Sequence, residues 1–176
     1  MSLLPEQLTA QNGTVYLPQA KKMSLAGWFC HRLDKQRRVT VPTILFDLMG
    51  QPEFVYAMPG KSNKGLKCVT ILSLDEYTRK MDFFRQAALT DPEAAEFVEE
   101  TSSNVTVLPL DAQHRIRIKD SLLTFAEVMD DVEEVAIVGQ TSCIEIGTIA
   151  NFPCPDGAES SYVDKHASKN RRFNLI

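Results

Sequence analysis

The feature that most constrains this chain is a short stretch that it spells twice. Leu33-Asp34-Lys35-Gln36-Arg37-Arg38 runs into Val39-Thr40-Val41-Pro42, and Leu110-Asp111-Ala112-Gln113-His114-Arg115 runs into Ile116-Arg117-Ile118-Lys119. Both copies read Leu-Asp-x-Gln-x-Arg ahead of an alternating strand, at an offset of 77 positions. A duplicated module predicts that the elements of one copy recur, in order, in the other.

The surrounding pattern agrees with that expectation. Trp28 to Leu33 reads as a strand entering the first motif, Asp34 to Arg37 as a polar turn, and Val39 and Val41 as the buried side of a half-buried strand. Pro42 and Thr43 open a brief helix over Ile44 to Met49, which Gly50 ends. Phe54 to Ala57 and Cys68 to Leu72 read as paired strands around a loop of turn formers from Met58 to Gly65. The second copy repeats the plan: a strand over Asn104 to Leu108, the turn at Asp111, a helix capped by Asp120, then strands at Val135 to Val138 and Cys143 to Ile146.

Between the copies, Ser73-Leu74-Asp75-Glu76 has the form of a capping box, and Tyr77, Met81, Phe84 and Ala88 recur at helical spacing after it. A second helix is expected near Asp91-Pro92, with Ala94, Phe97 and Val98 on one face. The organisation that follows is an N-terminal extension over 1–26 with one short strand at Thr14 to Leu17, a first repeat over 27–77, a helical linker over 78–104, a second repeat over 105–152, and a polar tail over 153–176 without a fold of its own.

Charge is segregated along the chain. The 176 residues carry a formal net charge of −4, yet His31 to Pro42 holds four bases against one acid and Leu110 to Lys119 three against one. Asp75 to Glu100 holds eight acids against three bases, and Glu127 to Glu134 five acids and no base. One basic surface facing a polyanion and an acidic surface facing solvent would produce that distribution. Cys30, Cys68, Cys143 and Cys154 have no C-x-x-C spacing and do not pair with the three histidines at ligand spacing, so neither a metal nor another cofactor is expected. The first residues lack a basic segment followed by an apolar run, and no stretch approaches about 18 apolar residues. The expectation is therefore a cytoplasmic protein with reduced thiols and no membrane partner. With no nucleophile in a recognisable setting, no G-x-G-x-x-G and no P-loop, the chain does not read as an enzyme, and no small-molecule substrate is expected.

The doubled Asp-x-x-x-Arg turn, the alternating strand, the helix–strand–strand that follows and the two linking helices together resemble the MraZ family of bacterial transcription factors over about residues 27–152. The resemblance implies an α+β chain: a duplicated AbrB/SpoVT-type swapped-hairpin β-barrel with two linking helices and a short helix in each repeat, assembling into a ring-shaped homo-oligomer. It also implies a nucleoid-associated regulator that binds short direct repeats in double-stranded promoter DNA and represses the division and cell-wall gene cluster and its own promoter. The family's DNA-contacting arginine falls on Arg38 and Arg115. The glycine that precedes it in the family pattern is replaced by Arg37 and His114. Lysine is displaced one position, to Lys35, with Gln36 in its usual place. Glycine suits a turn of positive φ, and a side chain there costs about 1 kcal/mol.

The residues themselves support a DNA surface. Cations displace the counterions of phosphates, and an arginine fork can bond guanine O6 and N7 together. Arg38, Arg115 and Arg37 are the candidate base readers, with Arg117 on the same strand face as Arg115 and His114 as a donor; Lys35 and Arg32 are candidate phosphate contacts. Asp34 and Asp111 would repel phosphate, so they are assigned to orienting the turn, by bonding backbone amides or the arginine itself. A second reading remains open: a diverged assembly or protein-interaction module of the same fold that does not bind DNA, with the acid-rich linking helices and the long N-terminal extension as its contact surfaces.

Overall fold

The computed structural model describes residues 24–155 and 167–173. The strand expected at Thr14 to Leu17 lies outside them. Twelve elements follow in order: β1 (Leu25–Arg32), β2 (Arg38–Thr40), α1 (Thr43–Leu48), β3 (Phe54–Lys61), β4 (Lys67–Leu72), α2 (Leu74–Ala87), α3 (Pro92–Asn104), β5 (Thr106–Pro109), β6 (Arg115–Arg117), α4 (Asp120–Phe125), β7 (Glu134–Thr141) and β8 (Cys143–Gly147). The duplication is visible element by element: β1, β2, α1, β3 and β4 correspond to β5, β6, α4, β7 and β8.

The chain is α+β, with an antiparallel six-stranded sheet in the order β1-β7-β8-β4-β3-β5 and a separate ribbon of β2 and β6. β1 of the first copy pairs with β7 of the second, and β5 of the second with β3 of the first. Contrary to the expected barrel, the sheet does not close. Its edges, β1 and β5, each run straight into a motif turn, and beyond the turns the chain pairs as the ribbon instead of returning to the sheet.

The side chains that a closed barrel would hold inside are covered from one side by this ribbon and by α1 and α4. Val39 and Ile116, paired opposite each other, pack with Leu45 and Leu123 onto Val55, Val69, Ile71, Ile137, Ile144 and Ile146. All ten are essentially inaccessible to solvent. Because side chains alternate along a strand, the other face of the sheet builds a smaller cluster, in which Cys68, Ala136 and Phe152 meet Trp28 and Val138. The indole of Trp28 donates to the carbonyl of Phe152 at 2.9 Å.

Local signals account for most boundaries. Ser73 caps α2 by accepting from the Glu76 amide at 3.3 Å, but the Glu76 carboxylate binds Arg79 and Lys80, so only half of the capping box forms. Asp91 caps α3 through the Glu93 amide, with proline in the first turn. α1 ends in a Schellman motif: Gly50, at φ 83°, donates to Asp47 O, and Gln51 to Phe46 O. Asp120 does not cap α4. It is the first helical residue, Lys119 stands at the cap position, and no side chain bonds there.

The segment expected as a loop from Met58 is strand as far as Lys61, leaving only 62–66 as the connection. Tyr77 of α2 stacks on Tyr56 at 4.1 Å and Phe84 packs on Phe97 of α3 at 4.8 Å, which seats the helical pair beside β3. Phe83, Leu89 and Phe97 nevertheless remain 67%, 78% and 44% exposed. In the tail, residues 167–172 are helical.

Candidate nucleic-acid interface

The two motif turns have the same construction. In the first, Asp34 Oδ1 accepts from the amides of Gln36 at 2.8 Å and Arg38 at 2.9 Å, while Oδ2 accepts from Arg38 Nε at 2.8 Å. In the second, Asp111 Oδ1 accepts from the amides of Gln113 at 2.9 Å and Arg115 at 3.0 Å, and Oδ2 from Arg115 Nε at 2.7 Å. The backbone closes each turn as well, Arg37 N donating to Asp34 O and His114 N to Asp111 O, both at 2.9 Å. Each aspartate therefore holds both the turn and its arginine. Bonds from the arginine's backbone amide, above all, hold the Asp34 and Asp111 carboxyls below the ordinary value of 3.8, with the guanidinium adding to the effect. Since each aspartate is bonded through Nε, that contact leaves the Nη1–Nη2 edge of Arg38 and Arg115 unused.

Arg37 and His114 adopt φ of 61° and 57°, the left-handed region that favours glycine. Each carbonyl then faces the opposite copy: Ile118 N donates to Arg37 O and Val41 N to His114 O, both at 2.9 Å. The ribbon is thus locked at both ends by residues in an unfavourable backbone conformation. Side-chain contacts offset the cost differently in the two copies. The His114 ring stacks on Phe46 of α1, with centroids 3.8 Å apart and planes 16° from parallel. The Arg37 guanidinium donates to Asp130 Oδ1 at 2.8 Å and to the Met129 carbonyl at 3.5 Å, and its Nε lies 3.8 Å from Asp120 Oδ1. The Arg37 side chain is only 16% exposed.

Period-two alternation places Arg38, Thr40, Arg115 and Arg117 on the ribbon face opposite the buried Val39 and Ile116. Arg38 stands directly across from Arg117. Like charges in that relation destabilise a ribbon, so the pairing suits a surface that meets an anion. Lys35 is exposed at the tip of the first turn. Arg32 lies to one side at the end of β1, 75% exposed and 3.5 Å from Glu133. Of the residues singled out in the sequence, Arg38, Arg115 and Arg117 share one face with Lys35 beside it; Arg37 and His114 are turned to intramolecular partners.

The sequence did not single out Asp130, Met129 or Phe46, which hold the two turns. The run of acids from Glu127 to Glu134 was visible, but not that it folds back beside Arg37. Among the described residues no cluster of three or more His, Cys, Asp or Glu is arranged to hold a metal, and no helix is long and apolar enough to cross a membrane.

No protein-family model matches the chain. Among curated proteins it is similar to Transcriptional regulator MraZ of Alkaliphilus metalliredigens (strain QYMF), with 31% identity over 121 residues, covering 68% of this chain and 78% of that protein. The protein of the same name from Caldicellulosiruptor saccharolyticus is 29% identical over 152 residues, covering 86% of this chain and 99% of its own length. That from Acidithiobacillus ferrooxidans (strain ATCC 53993 / BNL-5-31) is 27% identical over 125 residues, covering 69% and 81%. Relatives of that identity and coverage, together with the duplicated motif, place the protein: the chain belongs to the MraZ family.

Proposed function

We propose that the protein is a sequence-specific DNA-binding transcriptional regulator whose reading surface is the outward face of the β2–β6 ribbon and its two turns. The observation that carries this reading is the repeated Asp–Arg pair. Two arginines are fixed at Nε by Asp34 and Asp111 at 2.8 and 2.7 Å, each with its outer edge left for a ligand. A guanidinium fixed in this way is prepared for bidentate bonding to guanine O6 and N7. Arg38 and Arg115 are assigned to bases; Lys35, Arg117 and, at the margin, Arg32 to phosphates. Asp34 and Asp111 orient the arginines. Arg37 and His114 belong to the same turns and are held there by partners within the chain.

The family supplies the finer reading: two swapped-hairpin half-modules per chain, a ring-shaped homo-oligomer, short direct repeats in the promoter as target, and repression of the division and cell-wall gene cluster and of the chain's own promoter by a cytoplasmic, nucleoid-associated protein. The reciprocal pairing of β1 with β7 and of β5 with β3 supports the first of these. The test is fluorescence anisotropy with a duplex from the region upstream of the gene. Tight binding that falls steeply with salt supports the reading; affinity equal to that for a scrambled duplex contradicts sequence recognition.

One observation favours a second reading, an assembly or protein-interaction module. Phe83 of α2, Leu89 between the helices and Phe97 of α3 are large apolar side chains left exposed. Affinity capture that yields a protein and no DNA would support that reading over the first.

A further inference from the structure

The first turn carries an interaction that the second lacks. Arg37 reaches out of the first repeat to three oxygens of the second: the Asp130 carboxylate, the Met129 carbonyl and, more distantly, the Asp120 carboxylate at the start of α4. Its partners are almost wholly exposed, Asp130 at 103% and Asp120 at 80%, while the Arg37 side chain itself is covered, at 16%. Arg38 and Arg115 are more open, at 30% and 28%, and are bonded to their aspartates through Nε. Arg37 also lines a cleft together with Lys35, Asp120, Asp130 and Glu133, beside the tip of the turn. Its backbone sits at φ 61°, where the geometry must be held by its surroundings.

We propose that Arg37 is a positioning residue that pins the first reading turn to α4 and to the acidic segment of the second repeat, and that it acts on DNA through Arg38 without touching DNA itself. The chain then has two unequal reading turns. The first is held by ion pairs, and the second by the stack of His114 on Phe46. This rests on the DNA-binding reading for its consequence, but the pinning exists in the free protein and can be measured there.

Asp130→Asn removes the main partner without touching the ribbon, and Asp131→Asn, which removes the same charge next door, serves as the control for long-range repulsion of phosphate. In the free protein, Asp130→Asn speeds hydrogen exchange of the Gln36 and Arg38 amides roughly two- to fivefold, the range of an exposed ion pair. The Gln113 and Arg115 amides remain as in wild type. Affinity for the upstream duplex falls by a similar factor relative to Asp131→Asn. In Arg37→Gly the salt dependence keeps its slope, because no phosphate contact is lost.

Unchanged exchange at Gln36 and Arg38 in Asp130→Asn would overturn the pinning, whether or not DNA binds. A slope reduced by about one in Arg37→Gly, or affinity higher in Asp130→Asn than in Asp131→Asn, would make Arg37 a DNA contact instead. A wild-type chain that ignores the duplex would overturn the function proposed above and leave the exchange result to decide this one.

Discussion

The amide of Val41 donates to the carbonyl of His114 at 2.9 Å, so the strand leaving the first turn is anchored on the second. The converse bond, Ile118 to Arg37, makes each turn a structural part of the other. The two turns are thus tied to each other's outgoing strands through the carbonyls of Arg37 and His114, the two residues at positive φ.

Substitutions at His114 should therefore follow backbone preference. His114→Val places a β-branched side chain at φ 57° and is expected to lower unfolding free energy by about 1–2 kcal/mol. His114→Gly should stay within about 1 kcal/mol of wild type, because relief of the left-handed strain offsets a lost stack on Phe46 of about 0.5–1.5 kcal/mol. Urea unfolding of the two variants checks the order, and a more stable valine variant would contradict it.

The orienting carboxylates predict an acid limit. A carboxyl whose folded-state value lies below 3.8 contributes stability that is fully present above that value and is lost as the pH falls through the depressed one. Carbon-detected titration should show Asp34 and Asp111 ionising below 3.8 with the turns loosening together. Asp34→Asn keeps an acceptor for the amides but loses the charged bond to Arg38, and duplex affinity should drop roughly three- to tenfold. Normal titration of both groups would show that the turns are not built as described.

Glu145 predicts the opposite sign. It is 8% exposed in β8, across from Thr70, and its Oε2 has no hydrogen-bond partner among the described residues. Burial raises its carboxyl above the ordinary 4.5, so stability falls as the pH rises from 4.5 towards the raised value. Glu145→Gln should stabilise the protein at pH 7 by about 1–3 kcal/mol and flatten that part of the pH profile. Thermal unfolding at pH 5 and pH 8 reads both effects; a less stable glutamine variant at pH 8 would contradict the account.

Local chemistry was legible in the sequence and long-range geometry was not. The alternation of Val39-Thr40-Val41 and Ile116-Arg117-Ile118 told which side of the ribbon is buried; at Arg37 and His114 the sequence told only that a glycine-favouring position carries a side chain, and the structure shows that both keep a positive φ. Ser73, Asp91 and Gly50 marked helix ends because their bonds span only a few residues. Pro59 and Gly60 misled: they read as turn formers, yet they pair with Val69 and Cys68 in the strand. The open sheet, the pairing of β1 with β7 and of β5 with β3, and the partners of Arg37, 92 and 93 positions away, depend on contacts distant in the chain, which no window of sequence contains.

The central claim is that Arg38 and Arg115 are the reading residues, and the most direct measurement is the affinity of the Arg38→Ala/Arg115→Ala double variant for the upstream duplex, titrated across salt beside wild type. The account predicts a folded protein whose specific binding is lost, leaving only the weak, salt-sensitive affinity of the remaining cations for any duplex. A double variant that still prefers the upstream sequence with wild-type affinity would contradict it.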